Sequence, residues 1–109
     1  MKIQLTQDIA MPAVGFGTYL IDDQQAEVSV TQALQAGYRH IDTAEGYQNE
    51  AGVGRAIRAT GISRDDVFVT TKLWPGNPAW GHPVKDRAAT VAALDQSLGN
   101  LKLDYVDLT

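Results

Sequence analysis

Gly37-Tyr38-Arg39-His40-Ile41-Asp42-Thr43-Ala44-Glu45-Gly46-Tyr47-Gln48-Asn49 sets the plan of this 109-residue chain. Gly37 is well placed to stop a helix, and residues 38–42 read as a short strand. A polar loop follows, and Asn49 is suited to cap the next helix. Helix, strand, loop and helix in that order describe a unit in which strands lie side by side and helices carry the chain back.

Working toward the amino terminus, Asp22 and Gln25 have capping spacing, and Ala26, Val30, Ala33 and Leu34 fall on one helical face. Residues 13–17 read as a brief buried strand, and residues 3–5 and 9–11 flank Thr6-Gln7-Asp8 as the arms of a hairpin. Toward the carboxyl terminus, a second helix buries Val53, Ala56 and Ile57, with Gly52 and Gly54 as a cost to its early turns. Gly61 ends it. Residues 67–72 form the clearest strand, residues 73–83 a long loop with proline and glycine, and Ala88, Val91, Leu94 and Leu98 the apolar face of a third helix. Residues 103–109 read as a fourth strand. Alternating strands and helices predict an α/β fold with parallel pairing.

With 44% apolar and 20% charged residues, the chain has the composition of a folded domain. The net charge is −4 and the basic residues are scattered, which disfavours a nucleic-acid partner. The absence of cysteine excludes disulfides and thiolate metal sites. Thr6, Gln7 and Asp8 interrupt the apolar opening before a secretory core forms, and no run approaches the roughly 18 apolar residues of a membrane span. A cytoplasmic protein with no membrane partner is the expectation. A chain stopping inside its fourth strand would present an open sheet edge, which invites association.

Three side chains converge on the carboxyl end of such a sheet, the end at which α/β folds carry their chemistry. Asp42 ends a strand, Tyr47 lies in the loop after it, and Lys72 ends the next strand. A phenol can donate a proton to a carbonyl oxygen as hydride reaches the carbon, while a nearby ammonium stabilises the phenolate. A carboxylate can hold that ammonium in place. Taken singly, each has a plainer reading: Asp42 as a turn residue, Tyr47 as loop packing, Lys72 as a solvated strand end.

Met11-Pro12-Ala13-Val14-Gly15-Phe16-Gly17-Thr18-Tyr19 resembles the first-strand signature of the aldo-keto reductases. The stretch from Gly37 through Ala44, with Tyr47, Asn49, Glu50, Gly52, Gly54, Ala56 and Ile57, resembles the family's long second-strand signature. Val69-Thr70-Thr71-Lys72-Leu73-Trp74 is similar to the strand bearing the catalytic lysine, and Leu103-Asp104-Tyr105-Val106-Asp107-Leu108 to the approach to the fourth catalytic position. The likeness spans nearly the whole chain and is nearest in character to bacterial 2,5-diketo-D-gluconate reductase-like members.

The resemblance implies a partial TIM (β/α)8 barrel, with residues 1–109 as the amino-terminal part of one barrel domain: an N-terminal hairpin and about four strands and three helices. It implies NADPH as cofactor and reduction of an aldehyde, ketone or keto-sugar to an alcohol. Tyr47 is then the proton donor, Lys72 its electrostatic partner, and Asp42 the carboxylate that orients the lysine and approaches the nicotinamide ribose. Thr18 and Tyr19 match residues beside the nicotinamide. Tyr19, Tyr47 and Trp74 line the substrate pocket, and Trp80 either joins them or packs its own loop. The family's carbonyl-orienting histidine falls a few positions past the strand that begins at Tyr105, and neither His40 nor His82 matches it. The complete protein is expected to be a monomer. The alternative is a noncatalytic half-barrel that self-associates through its open strand edges.

Other motifs carry less. Gly15-Phe16-Gly17 lacks the third glycine of a dinucleotide-binding turn, and Gly52-Val53-Gly54 lies within a helix. His40 and Asp42 lack a third metal ligand, so no metal site is expected. Ser63 and Asp66 form a capping pattern on a turn.

Overall fold

The computed structural model describes all of residues 1–109. Strands β1 (Lys2–Gln4) and β2 (Ala10–Pro12) pair antiparallel, with Ile3 opposite Met11. The hydroxyl oxygen of Thr6 accepts the backbone N–H groups of Asp8 and Ile9 at 3.3 and 3.1 Å, closing the expected hairpin. The main sheet has three strands in the order β3 (Phe16–Gly17), β4 (His40–Asp42) and β5 (Phe68–Thr70), all parallel. Helix α1 (Asp23–Gln35) carries the chain from β3 to β4, and α2 (Glu50–Ala59) from β4 to β5. Helix α3 (Arg87–Leu101) follows β5.

Local chemistry sets these boundaries. Asp22 caps α1 by accepting the N–H of Gln25 at 2.7 Å, as its spacing predicts. At the other end Gly37, with φ 107°, lets Gly37 N–H donate to Leu34 and Tyr38 N–H to Ala33. That pair of bonds closes the helix and redirects the chain into β4. Val30, Leu34, Ile41, Val53, Ile57, Val67, Val69 and Leu101 are the larger members of the buried core between sheet and helices. Burial of such a side chain is worth about 1.5–3 kcal/mol.

Several expectations are corrected. Gly52 and Gly54 do more than weaken α2: a Cβ on Gly52 would lie 2.0 Å from the Asp23 carbonyl oxygen, and one on Gly54 2.0 Å from that of Leu101. Their bare backbone lets α2 nest between α1 and α3. Asn49 precedes α2, but its side chain makes no capping bond. The early strand is shorter and less buried than its glycines suggest, since only Phe16 and Gly17 pair and Val14 is 68% exposed. In α3 the residues that become buried are Ser97 and Leu101, whereas Val91 is 53% exposed.

Residues 103–109 do not form a fourth strand. Lys102 adopts a left-handed conformation with φ 53° and turns the chain out of α3, after which only Leu108 bridges Thr70. The carboxylate of Asp107 accounts for the missing ladder. It accepts the Val69 N–H at 2.8 Å, a donor that a strand would otherwise meet with a backbone carbonyl. The N–H groups of Asp107 and Leu108 both turn to the Val69 carbonyl. No helix is long and apolar enough to cross a membrane.

Candidate active site

Strand alternation places the first member of the site. Ile41 is fully buried against the helices, so its neighbours His40 and Asp42 face the other side of the sheet, where both are half-buried. Asp42 lies opposite Thr70 in the parallel register, which puts Lys72 two residues further along on the same face. The Lys72 ammonium donates to Asp42 Oδ1 across the strands. Backbone pairing continues past the strand ends, since Thr43 N–H donates to Thr70 at 2.8 Å and Glu45 N–H to Lys72 at 2.9 Å. These bonds bring the following loop to the end of β5.

That loop is a single tight turn, Glu45–Tyr47, closed by Gln48 in a left-handed conformation with φ 56°. It presents the Tyr47 ring with its centroid 5.3 Å from the Lys72 ammonium. The Tyr19 ring packs at 5.1 Å from Tyr47, tilted by 49°, and Tyr19 itself is 65% exposed. Asp42, Tyr47, Lys72 and Tyr19, from three separate stretches of sequence, therefore meet at the carboxyl end of the sheet. Thr18 is fully buried just beneath them. Its N–H and hydroxyl both donate to the Asp42 carbonyl at 3.1 Å, which ties the end of β3 to the end of β4.

Asn49 is the anchor of this arrangement, a role its capping pattern concealed. Its Oδ1 accepts the Thr43 hydroxyl at 2.8 Å, and its Nδ2 donates to the carbonyls of Thr18 and Ile21 at 2.7 and 3.1 Å. The next residue, Glu50, is also buried and accepts bonds from the Thr71 hydroxyl at 2.6 Å and the Asn100 amide at 3.2 Å. Together they fix both sides of the Tyr47 turn. No local spacing marks these partners, which lie up to 50 residues away.

Trp74 stands beside the cluster, with its N–H donating to Glu45 Oε2 at 3.0 Å. Its ring meets His82 edge-on at 5.0 Å. Trp80 lies on the separate turn Pro78–Trp80, is 73% exposed, and takes no part in that stack. His40, outside this cluster, bonds through Nε2 to the Thr70 hydroxyl at 2.9 Å. A cavity of about 560 Å³ opens at the opposite, amino end of the strands, lined by residues including Lys2, Arg39, Asp66 and Phe68. It contains none of the clustered residues.

Two side chains elsewhere in the fold, Asp23 and Tyr105, have shifted acidities. Burial disfavours ionisation of Asp23, yet the Arg55 hydrogen bond, the Gly52 N–H and the Arg55 charge outweigh it and hold the carboxyl below its ordinary value. The hydrogen bond to Asp65, with burial, pushes the Tyr105 phenol up.

The arrangement combines a phenol, an ammonium within reach of it and a carboxylate that holds the ammonium, all opening to one surface. Such a set suits proton donation to a developing oxyanion. A sequence model of the Aldo/keto reductase family matches residues 13–109. Methylglyoxal reductase DkgB of Yersinia pestis is 48% identical over 101 residues, covering 93% of this chain and 35% of that protein. The crystal structure of an aldo/keto reductase from Brucella melitensis superimposes with a TM-score of 0.84 at 42% identity, over 97% of this chain and 39% of that one. A Bombyx mori aldo-keto reductase, solved in complex with NADP, gives a TM-score of 0.83 at 38% identity, over 97% and 36%. The chain thus spans about a third of the length of the relatives it matches. On its sequence, and on a partial α/β barrel shared with these structures, the chain belongs to the aldo/keto reductase family.

Proposed function

We propose that residues 1–109 form the amino-terminal part of one barrel domain and supply the proton-donating side of an NADPH-dependent carbonyl reductase. The observation that carries this reading is the position of the Lys72 ammonium, bonded to Asp42 and 5.3 Å from the Tyr47 ring centroid. The Tyr47 hydroxyl gives its proton to the oxygen of an aldehyde, ketone or keto-sugar. Lys72 stabilises the negative charge that remains on the phenol oxygen, because an adjacent cation favours the ionised form. Asp42 keeps the lysine beside the tyrosine and neutralises its charge in the ground state.

The residues present fit a nicotinamide cofactor at this surface. The Asp42 side chain is 37% exposed, and its Oδ2 stands outside the Lys72 bond, so it can accept a ribose hydroxyl. Tyr19 offers an exposed aromatic face next to Tyr47 on which a planar ring can rest. Thr18, its own polar groups engaged, supports that surface from below by holding Asp42 in position. When bound, the cofactor supplies hydride to the carbonyl carbon. The NADP complex of the Bombyx mori relative and the methylglyoxal reductase named above support both the cofactor and a small carbonyl substrate.

The test is NADPH oxidation by the complete protein with small aldehydes and a keto-sugar. Tyr47→Phe should lower kcat by about 10²–10⁴-fold, the range of a lost general acid, with little change in KM. Near-normal turnover in that variant would remove Tyr47 from its role. The rival reading, a noncatalytic half-barrel joining others edge to edge, finds less support. The Asp107 carboxylate and Leu108 already occupy polar groups along the outer edge of β5. Light scattering during an NADPH titration separates the two readings.

A further inference from the structure

The loop after Lys72 is tied to the Tyr47 turn by two charged side chains that no motif singles out. Glu45 opens the turn that ends at Tyr47, and its own N–H is held by the Lys72 carbonyl at 2.9 Å. Its carboxylate reaches across to accept the Trp74 N–H at 3.0 Å. Lys85, at the far end of the loop, stands 3.8 Å from Glu45 Oε1, and its ammonium donates to the Trp74 carbonyl. The Lys85 N–H donates to Pro75 at 2.8 Å, closing the loop on itself.

Both polar groups of the Trp74 backbone are therefore engaged, one by each member of an ion pair. The ammonium also lies 5.6 Å from the Trp74 ring centroid, with His82 edge-on against that ring. The side chains of Lys85 and Glu45 are 19% and 31% exposed, sheltered enough that water screens the pair less than it would on an open surface.

We propose that Glu45 and Lys85 are positioning residues: they clamp Trp74 against the turn bearing Tyr47, and so fix one wall of the carbonyl pocket relative to the proton donor. The pocket part of this inference rests on the reductase reading above, while the clamp itself stands on the contacts. With the wall fixed, small carbonyl compounds are favoured over bulky ones. Losing either charge frees the wall and weakens that preference.

The experiment uses the whole chain carrying Trp80→Phe, so that Trp74 is its one remaining tryptophan. Acrylamide quenching of Trp74 emission is measured in this parent and with Glu45→Ala, Lys85→Met, the double variant and Lys85→Arg. Each of Glu45→Ala and Lys85→Met should raise the quenching constant by up to about fivefold, the population change that accompanies loss of a partly exposed ion pair. The double variant should add little to the larger single effect, and Lys85→Arg should stay near the parent. Unchanged quenching in both singles, or fully additive effects, would overturn the clamp. Thermal midpoints measured alongside identify any variant that has merely unfolded, for which Glu45→Gln and Lys85→Gln replace it.

A second arm titrates Trp74 emission with para-nitrobenzaldehyde, whose nitroarene quenches indole. Saturable quenching in the parent, weakened severalfold by Glu45→Ala, is the supporting result. If acrylamide reports the clamp but the aldehyde saturates in no variant, the carbonyl reading fails and the positioning role falls with it. If the aldehyde saturates equally in every variant, the reductase reading stands and the positioning role is refuted.

Discussion

Asn49 Oδ1 accepts the Thr43 hydroxyl 2.8 Å away, and both side chains are fully buried. The same amide holds the carbonyls of Thr18 and Ile21. Asn49→Ala strands the buried Thr43 hydroxyl and Thr18 carbonyl and the part-buried Ile21 carbonyl, and a buried group left without its partner costs about 1–3 kcal/mol. A loss of about 3 kcal/mol or more in urea unfolding is expected. Asn49→Asp, which sets a buried carboxylate against the same two carbonyls, should recover none of it.

Glycine-to-alanine substitutions should differ in sign by position. In an exposed helix interior the change stabilises by up to about 1 kcal/mol. That outcome is expected for Gly99 in α3, where an added Cβ meets nothing within 4 Å. Gly52→Ala and Gly54→Ala push a methyl group against a backbone carbonyl of the neighbouring segment, and overpacking of this kind costs about 1–3 kcal/mol. Thermal midpoints of the three variants should move up for Gly99→Ala and down for the other two.

Asp23 joins α1 to α2, accepting the Arg55 guanidinium at 2.6 Å and the Gly52 N–H at 2.7 Å. Its folded pKa lies below the ordinary value of 3.8. The stability it contributes is therefore fully present above that value and is lost as pH falls through the folded pKa. Unfolding free energies of the native chain and of Asp23→Asn, measured from neutral pH downward, should differ most at neutrality and converge in acid. A gap that widens below the ordinary carboxylate range would contradict this sign.

Asp107→Ala removes the acceptor of the Val69 N–H and the ion-pair partner of Arg64 at 3.0 Å. A loss of about 1–3 kcal/mol is expected from the stranded donor. Light scattering should also reveal concentration-dependent association, because the outer edge of β5 then offers an unpaired N–H to another chain.

Features that depend on a few adjacent residues were legible in the sequence. The Thr6 turn, the Asp22 cap, the Gly37 stop and the face of α1 all follow from short-range spacing. The meeting of Asp42, Tyr47 and Lys72 was legible in another way: two strand ends and the loop between them fall together at the carboxyl end of a parallel sheet. Asn49 misled because its type and position suit a cap, while its actual partners are 6, 28 and 31 residues away. Residues 103–109 misled because an apolar, strand-like pattern cannot reveal that the Asp107 side chain will stand in for a ladder carbonyl. Helix propensity marks Gly52 and Gly54 only as local losses, since close packing on neighbouring segments is invisible to it. The Glu45–Lys85 pairing, 40 positions apart, leaves no periodic trace.

The parallel register of β4 and β5 has one more consequence. His40 reaches Thr70 and Asp42 reaches Lys72 along the same diagonal, each two positions beyond its directly opposed residue. Between them Ile41 points the other way, into the packed interior. A frame shift of one residue within β4 would turn Ile41 toward the face that carries Lys72 and send Asp42 among the helices. The close packing of Ile41 therefore polices the spelling of this diagonal, and single-residue insertions between Gly37 and Ile41 will be rejected by the fold itself.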